Sequence, residues 1–188
     1  MVLLTASVEP REPQGGPARV PVVGIPSRRL SLEGFYPSSY ARLLSSLLAV
    51  SLNRQEAEDA LQEAYIRLLP RWERIAKYED PEAWVRRVAL HVLITRYRRR
   101  RVATLALPML APRESKDAPS PDRLDVEAAL RRLPLPHRAV LVLHHGFGMD
   151  LAQIAEQLDV PVGTVKSRLS RARSAFAAVY DNKEKAYG

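Results

Sequence analysis

The sequence predicts an all-α protein of two small helical domains joined by a flexible linker. Apolar residues recur at the i, i+3, i+4 spacing of buried helix faces in two segments, residues 31–101 and 124–181. No stretch alternates apolar and polar residues with the period of a β-strand. Nine of the fifteen prolines lie outside these segments, before residue 31 or between residues 102 and 123. Because proline disfavours helix at its own position and in the preceding residue, we predict a disordered extension at 1–30 and a linker at 102–123. Residues 182–188 are predicted to be a C-terminal tail.

Composition narrows the class of function. Lys and Arg number 29 against 21 Asp and Glu, and the formal net charge of +8 favours a polyanionic partner such as nucleic acid or an anionic membrane surface. The chain has no cysteine, which excludes disulfides, thiol nucleophiles and the usual structural zinc sites. No apolar run approaches the ~18 residues of a membrane span, and the first residues make a poor secretion signal. We therefore expect a soluble, cytoplasmic protein with no membrane partner.

Three helices are predicted in the first domain. The first buries Tyr40, Leu43, Leu44, Leu47 and Leu48. The second ends near Pro70 and buries Ala57, Ala60, Leu61, Ala64, Tyr65 and Leu68. The third begins at Asp80-Pro81-Glu82, where the aspartate is the N-cap and the proline takes the first helical position. Its inward residues are Trp84, Val85, Val88, Val92 and Leu93.

Four shorter apolar stripes predict the helices of the second domain. The first two comprise Val126, Ala129, Leu130 and Leu133, and then Val140, Leu141 and Leu143. The third follows Asp150 as its N-cap and comprises Leu151, Ile154, Ala155 and Leu158. The fourth comprises Val162, Val165, Leu169, Ala172 and Phe176. Asp159-Val160-Pro161 forms the turn between the last two, and aspartate tolerates the positive φ of such a turn.

The third helix of the first domain carries a run of arginines, with no acidic residue between positions 86 and 101. Arginine keeps its charge at cellular pH, and its planar fork matches phosphate oxygens. The four consecutive arginines at 98–101 repel one another unless an anion compensates them. Trp84, His91 and Tyr97 interleave with the run and offer flat faces or polar edges to unstacked bases. The alternative is a solvated helix end, where cations are favourable near the negative end of the helix dipole.

The second helix has the opposite charge, because Glu56, Glu58, Asp59 and Glu63 crowd its first half beside Gln62. Acids near a helix N-terminus stabilise the helix dipole, which explains the pattern without a function. A docking surface for a basic or polar protein explains it equally well. No oxyanion donor or metal-ligand pattern accompanies these carboxylates, so acid–base catalysis is disfavoured.

The most specific motif lies near the C-terminus. Residues 150–158 and 162–173 are two short amphipathic helices around a tight turn, with the length and pattern of a helix-turn-helix. The second helix is predicted to turn its polar residues outward, where hydroxyls reach base edges and arginines hold phosphates. These outward residues are Thr164, Lys166, Ser167, Arg168, Arg171 and Arg173. A packed helical hairpin without DNA-binding function is the alternative.

No catalytic residue, metal site or cofactor is predicted. His144 and His145 are adjacent and point about 100° apart on a helix, so one metal ion cannot readily take both. Neither Gly15-Gly16 nor Gly146-Phe147-Gly148 stands in the strand–loop–helix context of a phosphate-binding loop.

With these motifs in order, the chain resembles a bacterial RNA polymerase sigma factor of the extracytoplasmic-function (ECF) group of the sigma-70 family. Residues 55–68 are similar to the helix that such factors dock on the clamp of the polymerase largest subunit. Residues 83–101 resemble the region that reads the −10 element and opens the strands. Residues 133–141 and 160–173 resemble the −35-binding domain, the latter very closely.

The resemblance implies a promoter-specificity subunit with no chemistry of its own. Its partners would be core polymerase, through the clamp and the flap of the second-largest subunit, promoter DNA and, as in many factors of this group, an anti-sigma protein. The implied polymerase-binding residues are Asp59, Gln62, Glu63 and Arg67. The implied −10 residues are Trp84, Arg86, Arg87, His91, Arg96, Tyr97, Arg98 and Arg99, and the implied −35 residues are the six outward residues of the last helix.

The chain departs from the family pattern at four places. Leu90-His91 stands where Arg-Asn is common, Thr95 replaces a common aspartate, and Asp159 replaces a common glycine in the turn. The extension at 1–30 is not a usual part of the pattern. Because Leu90, His91 and Thr95 lie where related factors hold a −10 base, the base preference of this chain is open.

Two other function classes compete with this interpretation. A stand-alone helix-turn-helix regulator would use the first domain for dimerisation and bind a symmetric operator. A sigma factor would instead require polymerase and two unlike promoter boxes. An enzyme acting on nucleic acid would need a cluster of acids or histidines, which the sequence does not provide.

Overall fold

The structure, a computed structural model, describes residues 31–106 and 127–187. All regular secondary structure in these two stretches is helical, so the all-α prediction is confirmed. The helices are α1 (Leu32–Ser51), α2 (Arg54–Leu68), α3 (Trp72–Ile75), α4 (Pro81–Ala106), α5 (described at 127–131), α6 (Leu135–Phe147), α7 (Leu151–Leu158) and α8 (Val162–Tyr187). A 3₁₀ turn at Leu69–Arg71 joins α2 to α3. The predicted extension at 1–30 and linker residues 107–123 lie outside the described residues.

Two side-chain caps fix the start of α4 and α7 as the sequence predicted. Asp80 Oδ1 accepts a hydrogen bond of 2.9 Å from the backbone N–H of Ala83. Asp150 Oδ1 accepts one of 2.8 Å from the N–H of Gln153, whose side chain accepts the N–H of Asp150 in return. Each cap supplies an acceptor to an N–H group that has no partner inside its helix.

Helices α1, α2 and α4 pack around an apolar core. All six residues predicted to be buried on α2 are buried. The Tyr65 and Ser39 hydroxyls lie 2.8 Å apart in this core, and Ser39 donates to the Phe35 carbonyl at 2.6 Å. Both buried hydroxyls are therefore hydrogen-bonded, which removes the cost of burying them.

Helices α6, α7 and α8 form the second packed group, and one predicted core residue is wrong. Val165, Leu169 and Ala172 of α8 are buried as predicted. Val162 is instead 47% exposed, because it stands at the first position of α8, ahead of the residues that pack on the neighbouring helices. Val126 and the side chain of Phe176 lie outside what the structure describes.

Two helices continue past their predicted ends. α4 extends to Ala106, into the segment predicted as linker, and α8 extends to Tyr187, through most of the predicted tail. Neither segment contains a residue that stops a helix earlier, since the first proline after Arg101 is Pro108.

The two helical groups pack against each other. α4 contacts α6 and α7, and α1 contacts α6. The buried apolar residues of both groups form a single continuous cluster. α4 therefore packs both on the helices of its own group and on α6 and α7 of the C-terminal group.

The core packing makes a stability prediction on α2. Leu61 is fully buried whereas Ile66, on the same helix, is 65% exposed. We expect Leu61→Ala to lower the free energy of unfolding by about 2–5 kcal/mol, through lost apolar burial and the cavity left behind. Ile66→Ala should change it by less than about 0.5 kcal/mol. Denaturant unfolding followed by circular dichroism measures both, and equal effects would contradict the packing of α2.

Candidate nucleic-acid interface

The acidic face of α2 lies against the arginine run of α4. Glu63 Oε2 accepts a hydrogen bond of 2.8 Å from Arg96, and Asp59 is 3.8 Å from the same guanidinium. About one turn after Arg96 on α4, Arg100 donates two hydrogen bonds to the Glu56 carboxylate, one to each oxygen. This contact raises the pKa of Arg100 above its ordinary value. The counter-anions that the arginine run requires are thus partly supplied within the chain.

The four predicted polymerase-binding residues, Asp59, Gln62, Glu63 and Arg67, share one side of α2. They differ in exposure and in their ion pairs. Asp59 and Glu63 are half-buried through their contacts with Arg96, whereas Gln62 is exposed. Arg67 is exposed and pairs with Glu63 one turn earlier.

Ile66 lies on this side of α2 as a large exposed apolar residue that the sequence analysis did not select. The exposure of Ile66 could have been predicted from the sequence, because Ile66 falls outside the i, i+3, i+4 stripe formed by the buried residues of α2. A single exposed apolar residue is common on protein surfaces, so any role of Ile66 has to be argued from its neighbours.

The eight candidate residues on α4 divide into three sets by their surroundings. Arg98 and Arg99, near the C-terminal end, are exposed and make no ion pair with an acid of the described residues. Arg96 and Tyr97 are half-buried. Trp84, Arg86 and His91 are partly covered, and Arg87 is buried with 8% of its surface exposed.

The C-terminal group contacts Arg86 and Arg87, and Arg86 NH2 is also 3.6 Å from Asp80 Oδ2 at the start of α4. The Arg86 guanidinium lies over the Phe147 ring at the end of α6, 5.7 Å from its centroid. Arg87 NH2 is 3.9 Å from Asp159 Oδ1, directly after α7. A cation over a ring and a long ion pair are individually modest contacts. Together they place α6 and α7 on the part of α4 that the sequence analysis assigned to −10 DNA.

His91 lies within this contact. Burial, and then the neighbouring Arg87 guanidinium, lower the pKa of His91 below its ordinary value. The carboxylate of Asp159 and a hydrogen bond to the backbone of Gln157 oppose that change. The imidazole is therefore kept neutral while it is covered.

Helices α7 and α8 have the geometry of a helix-turn-helix. The turn between them places Asp159 at φ 51°, in the left-handed region, so the prediction that an aspartate there would tolerate positive φ is confirmed. The Val160 N–H donates to the Ala155 carbonyl at 3.1 Å and closes the end of α7. Pro161 then precedes α8, with its carbonyl accepting the Thr164 N–H at 2.8 Å.

The six candidate residues on α8 point away from its buried stripe. Lys166, Ser167, Arg171 and Arg173 are exposed, and Thr164 and Arg168 are half-buried. Burial, and then the Arg98 guanidinium of α4, lower the pKa of Arg168. The Arg98 and Arg168 guanidinium groups therefore repel each other.

The adjacent histidines of α6 have structural contacts. His144 Nδ1 is 2.9 Å from the Met149 carbonyl oxygen, and Arg173 Nε donates to His145 Nε2 at 3.3 Å. Among the described residues, no group of three or more His, Cys, Asp or Glu side chains has an arrangement suited to a metal ion. No helix in the described part of the chain is long and apolar enough to cross a membrane.

Comparison with known families gives two matches, one for each helical group. The model of sigma-70 region 2 matches residues 37–102, which comprise most of α1, all of α2 and α3, and most of α4. The model of sigma-70 region 4 matches residues 123–176, which include α6, α7 and the first half of α8. The two matches together cover more than half of the chain.

Curated relatives are similar to the chain over both groups. The RNA polymerase sigma-E factor of Streptomyces avermitilis is 32% identical, over 76% of this chain and 81% of that protein. The ECF RNA polymerase sigma factor SigE of Mycolicibacterium smegmatis is 29% identical, over 88% of this chain and 68% of that protein. The ECF RNA polymerase sigma factor SigW of Bacillus subtilis is 29% identical, over 66% and 75%.

Solved structures agree at the level of the fold. The sigma factor RpoE of Bartonella quintana, in complex with the anti-sigma factor NepR, aligns with a TM-score of 0.66 at 19% identity, over 79% of this chain and 96% of that one. CnrH in complex with the cytosolic domain of CnrY aligns with a TM-score of 0.51 at 23% identity, over 80% and 87%. With region 2 and region 4 both matched and in the same order as in these relatives, the chain belongs to the sigma-70 family, in its group of ECF RNA polymerase sigma factors.

Proposed function

We propose that the chain is a promoter-specificity subunit, which brings core RNA polymerase to promoters with distinct −10 and −35 elements and promotes strand opening. The observation that carries the proposal is the presence of two cationic helical surfaces, on α4 and α8, in one chain of this family. The family consists of sigma factors, which are not enzymes, and the cytoplasm that holds the polymerase is the proposed location.

In this proposal α8 is the recognition helix for the −35 element. Exposed Lys166 and Ser167 lie near its start, where short donors reach base edges in the major groove. Arg171 and Arg173, one to two turns later, hold phosphates and set the orientation of the helix. This division separates residues that carry specificity from residues that carry affinity.

α4 is proposed to engage the −10 region. Arg98 and Arg99 are free to attract the DNA backbone at once, because no acid of the described residues pairs with them. Trp84, His91 and Tyr97 supply flat surfaces for unstacked bases of the non-template strand. Strand opening is then a population shift, since flipped bases bind the protein and paired bases do not.

α2 is proposed to dock on the clamp of the polymerase largest subunit. Gln62 and Ile66 are exposed there, with Asp59, Glu63 and Arg67 around them. A central apolar side chain with a polar rim is a common plan for a protein interface. The flap of the second-largest subunit is the proposed contact of the C-terminal group, and an anti-sigma protein is a further proposed partner, as in the RpoE complex with NepR.

The promoter itself is the first experimental target. DNA fragments retained by the complex of this chain with core polymerase should share two unlike boxes, and sequencing identifies them. Retention of one palindromic sequence by the chain without polymerase would instead favour a stand-alone regulator.

Replacing Lys166 tests the recognition surface of α8. We expect Lys166→Ala to weaken binding to a duplex that carries the −35 box of the retained fragments by about 1–3 kcal/mol, if a base contact is lost. Arg132→Ala removes an exposed charge elsewhere in the C-terminal group and should have a small effect. Fluorescence anisotropy at fixed salt measures both variants. Equal losses would mean that Lys166 acts only through net charge.

Replacing Gln62 and Ile66 together tests the docking surface of α2. Their side chains have no ion pairs to lose, whereas changing Asp59 or Glu63 would also release Arg96. We expect Gln62→Ala with Ile66→Ala to lower affinity for core polymerase by about tenfold, or ~1.4 kcal/mol, through the lost interface contacts. Thermal unfolding and −35 duplex binding should be unchanged. Full polymerase affinity in this double variant would remove the docking role from this side of α2.

A further inference from the structure

The beginning of α1 lies in a cluster of aromatic rings. The centroid of the Tyr36 ring is 4.6 Å from that of Tyr65 on α2 and 5.4 Å from that of Tyr40 on α1. Tyr40 and Tyr65 are stacked, with their centroids 6.4 Å apart. Phe35, which is buried, lies 6.4 Å from Tyr65 and 5.0 Å from Trp72. We name Tyr36, Tyr40 and Tyr65 the tyrosine surface.

The described residues cover the tyrosine surface incompletely. Tyr36 is 45% exposed and Tyr40 is half-buried, although aromatic side chains stabilise proteins mainly when they are buried. The Tyr65 hydroxyl lies 2.8 Å from that of Ser39. The hydroxyls of Tyr36 and Tyr40, in contrast, have no hydrogen-bond partner within residues 31–106 and 127–187. The surface therefore offers a ligand flat apolar faces and two unused hydroxyl donors.

A proline-rich peptide fits this combination better than a helix does. In the polyproline II conformation the backbone carbonyls are free to accept hydrogen bonds, and such peptides dock in aromatic-lined grooves. A helix uses its carbonyls internally, so it would leave the two hydroxyls without backbone acceptors. The tyrosine surface thus suits an extended, apolar ligand that contains proline.

The chain itself contains such a segment a few residues before α1. Residues 20–26 read Val-Pro-Val-Val-Gly-Ile-Pro and carry no charge, whereas Arg19 and Arg28 flank them. The segment belongs to the extension that lies outside the described residues. Its two prolines restrict the backbone in advance, which reduces the entropy lost on docking.

The connection to α1 is long enough for this segment to reach the tyrosine surface. Tyr40 is eight residues after Leu32, or ~12 Å along the helix axis at ~1.5 Å per residue. Residues 27–31 span ~16 Å when they are extended as polyproline II. A short covalent connection also raises the effective concentration of the segment to about the millimolar range. A contact too weak to hold two separate molecules is therefore occupied within one chain.

We propose that residues 20–26 dock on the tyrosine surface of the same chain. Tyr36 and Tyr40 pack on the apolar side chains of the segment and donate hydrogen bonds to its backbone carbonyls. Docking ties the extension to α1 and covers the exposed ring of Tyr36. The proposal does not depend on the proposed function, because neither the cationic surfaces nor the docking residues of α2 take part in it.

Photo-cross-linking in the full-length chain tests the contact. p-Benzoylphenylalanine in place of Tyr36 keeps a ring at this exposed position and reacts with neighbouring C–H bonds. We expect a product of monomer size in which this ring is joined to the tryptic peptide 20–28, released by cleavage after Arg19 and Arg28. No cross-link, or cross-links mainly to other peptides, would overturn the proposal. A product of dimer size would overturn it in favour of a second copy of the chain.

Ser45 supplies the control position for cross-linking. It is exposed on α1 nine residues after Tyr36, and at about 100° per residue it lies on the opposite side of the helix. We expect the same photoreactive residue at this position to leave peptide 20–28 unmodified. Equal modification from both positions would mean that the extension only collides with α1 at random, which would overturn the proposal.

Substitutions in the extension provide an independent test, read from the tyrosine ring signals in NMR spectra of the full-length chain. The test variant replaces three apolar residues of the segment, Val20→Ser, Val22→Ser and Ile25→Ser. The matched control replaces three at the far end of the extension, Val2→Ser, Leu3→Ser and Leu4→Ser. All six positions precede α1, so circular dichroism of both variants should match the wild type.

The expected result is a difference between these two variants. We expect the ring signals of Tyr36 and Tyr40 to shift in the test variant, because the rings lose the aliphatic side chains packed on them. The same signals should keep their wild-type positions in the control. Unchanged signals in the test variant, or equal shifts in both variants, would overturn docking by residues 20–26.

Discussion

Acids from the neighbouring helices and turns compensate part of the positive charge of α4, and this pairing decides how α4 is held in the structure. α2 supplies Glu56 and Glu63 to the C-terminal half of α4, through Arg100 and Arg96. Asp159 supplies a carboxylate to Arg87 further towards the N-terminus. Arg98 and Arg99 have no such acid among the described residues, and their side chains are exposed.

The two sides of α4 therefore differ in the contacts that they make. The side towards α2 is joined to it by ion pairs and by an apolar core, so it acts as a fixed part of the scaffold. The side towards α6 and α7 combines apolar packing with buried polar atoms of Arg86, His91 and Gln157 that lack a hydrogen-bond partner among the described residues.

The helices, their caps and the helix-turn-helix could be predicted because they depend on local signals. Asp80 and Asp150 cap as their spacing indicates, and the α2 stripe is buried as its periodicity indicates. Two contacts could not be predicted, the pairing of Glu56 with Arg100 and that of Asp159 with Arg87. Their partners are distant in sequence and meet only through helix packing. The exposure of Val162 was missed for a related reason. Periodicity shows which face of α8 a side chain lies on, but it does not show how far along α8 the neighbouring helices pack.

The central claim is that this chain acts on promoters through polymerase, and run-off transcription tests it most directly. Purified chain, core polymerase and a linear template with the two retained boxes should yield one transcript of defined length, which disappears when either box is scrambled. The account is contradicted if the chain binds the template tightly but core polymerase yields no transcript that depends on it.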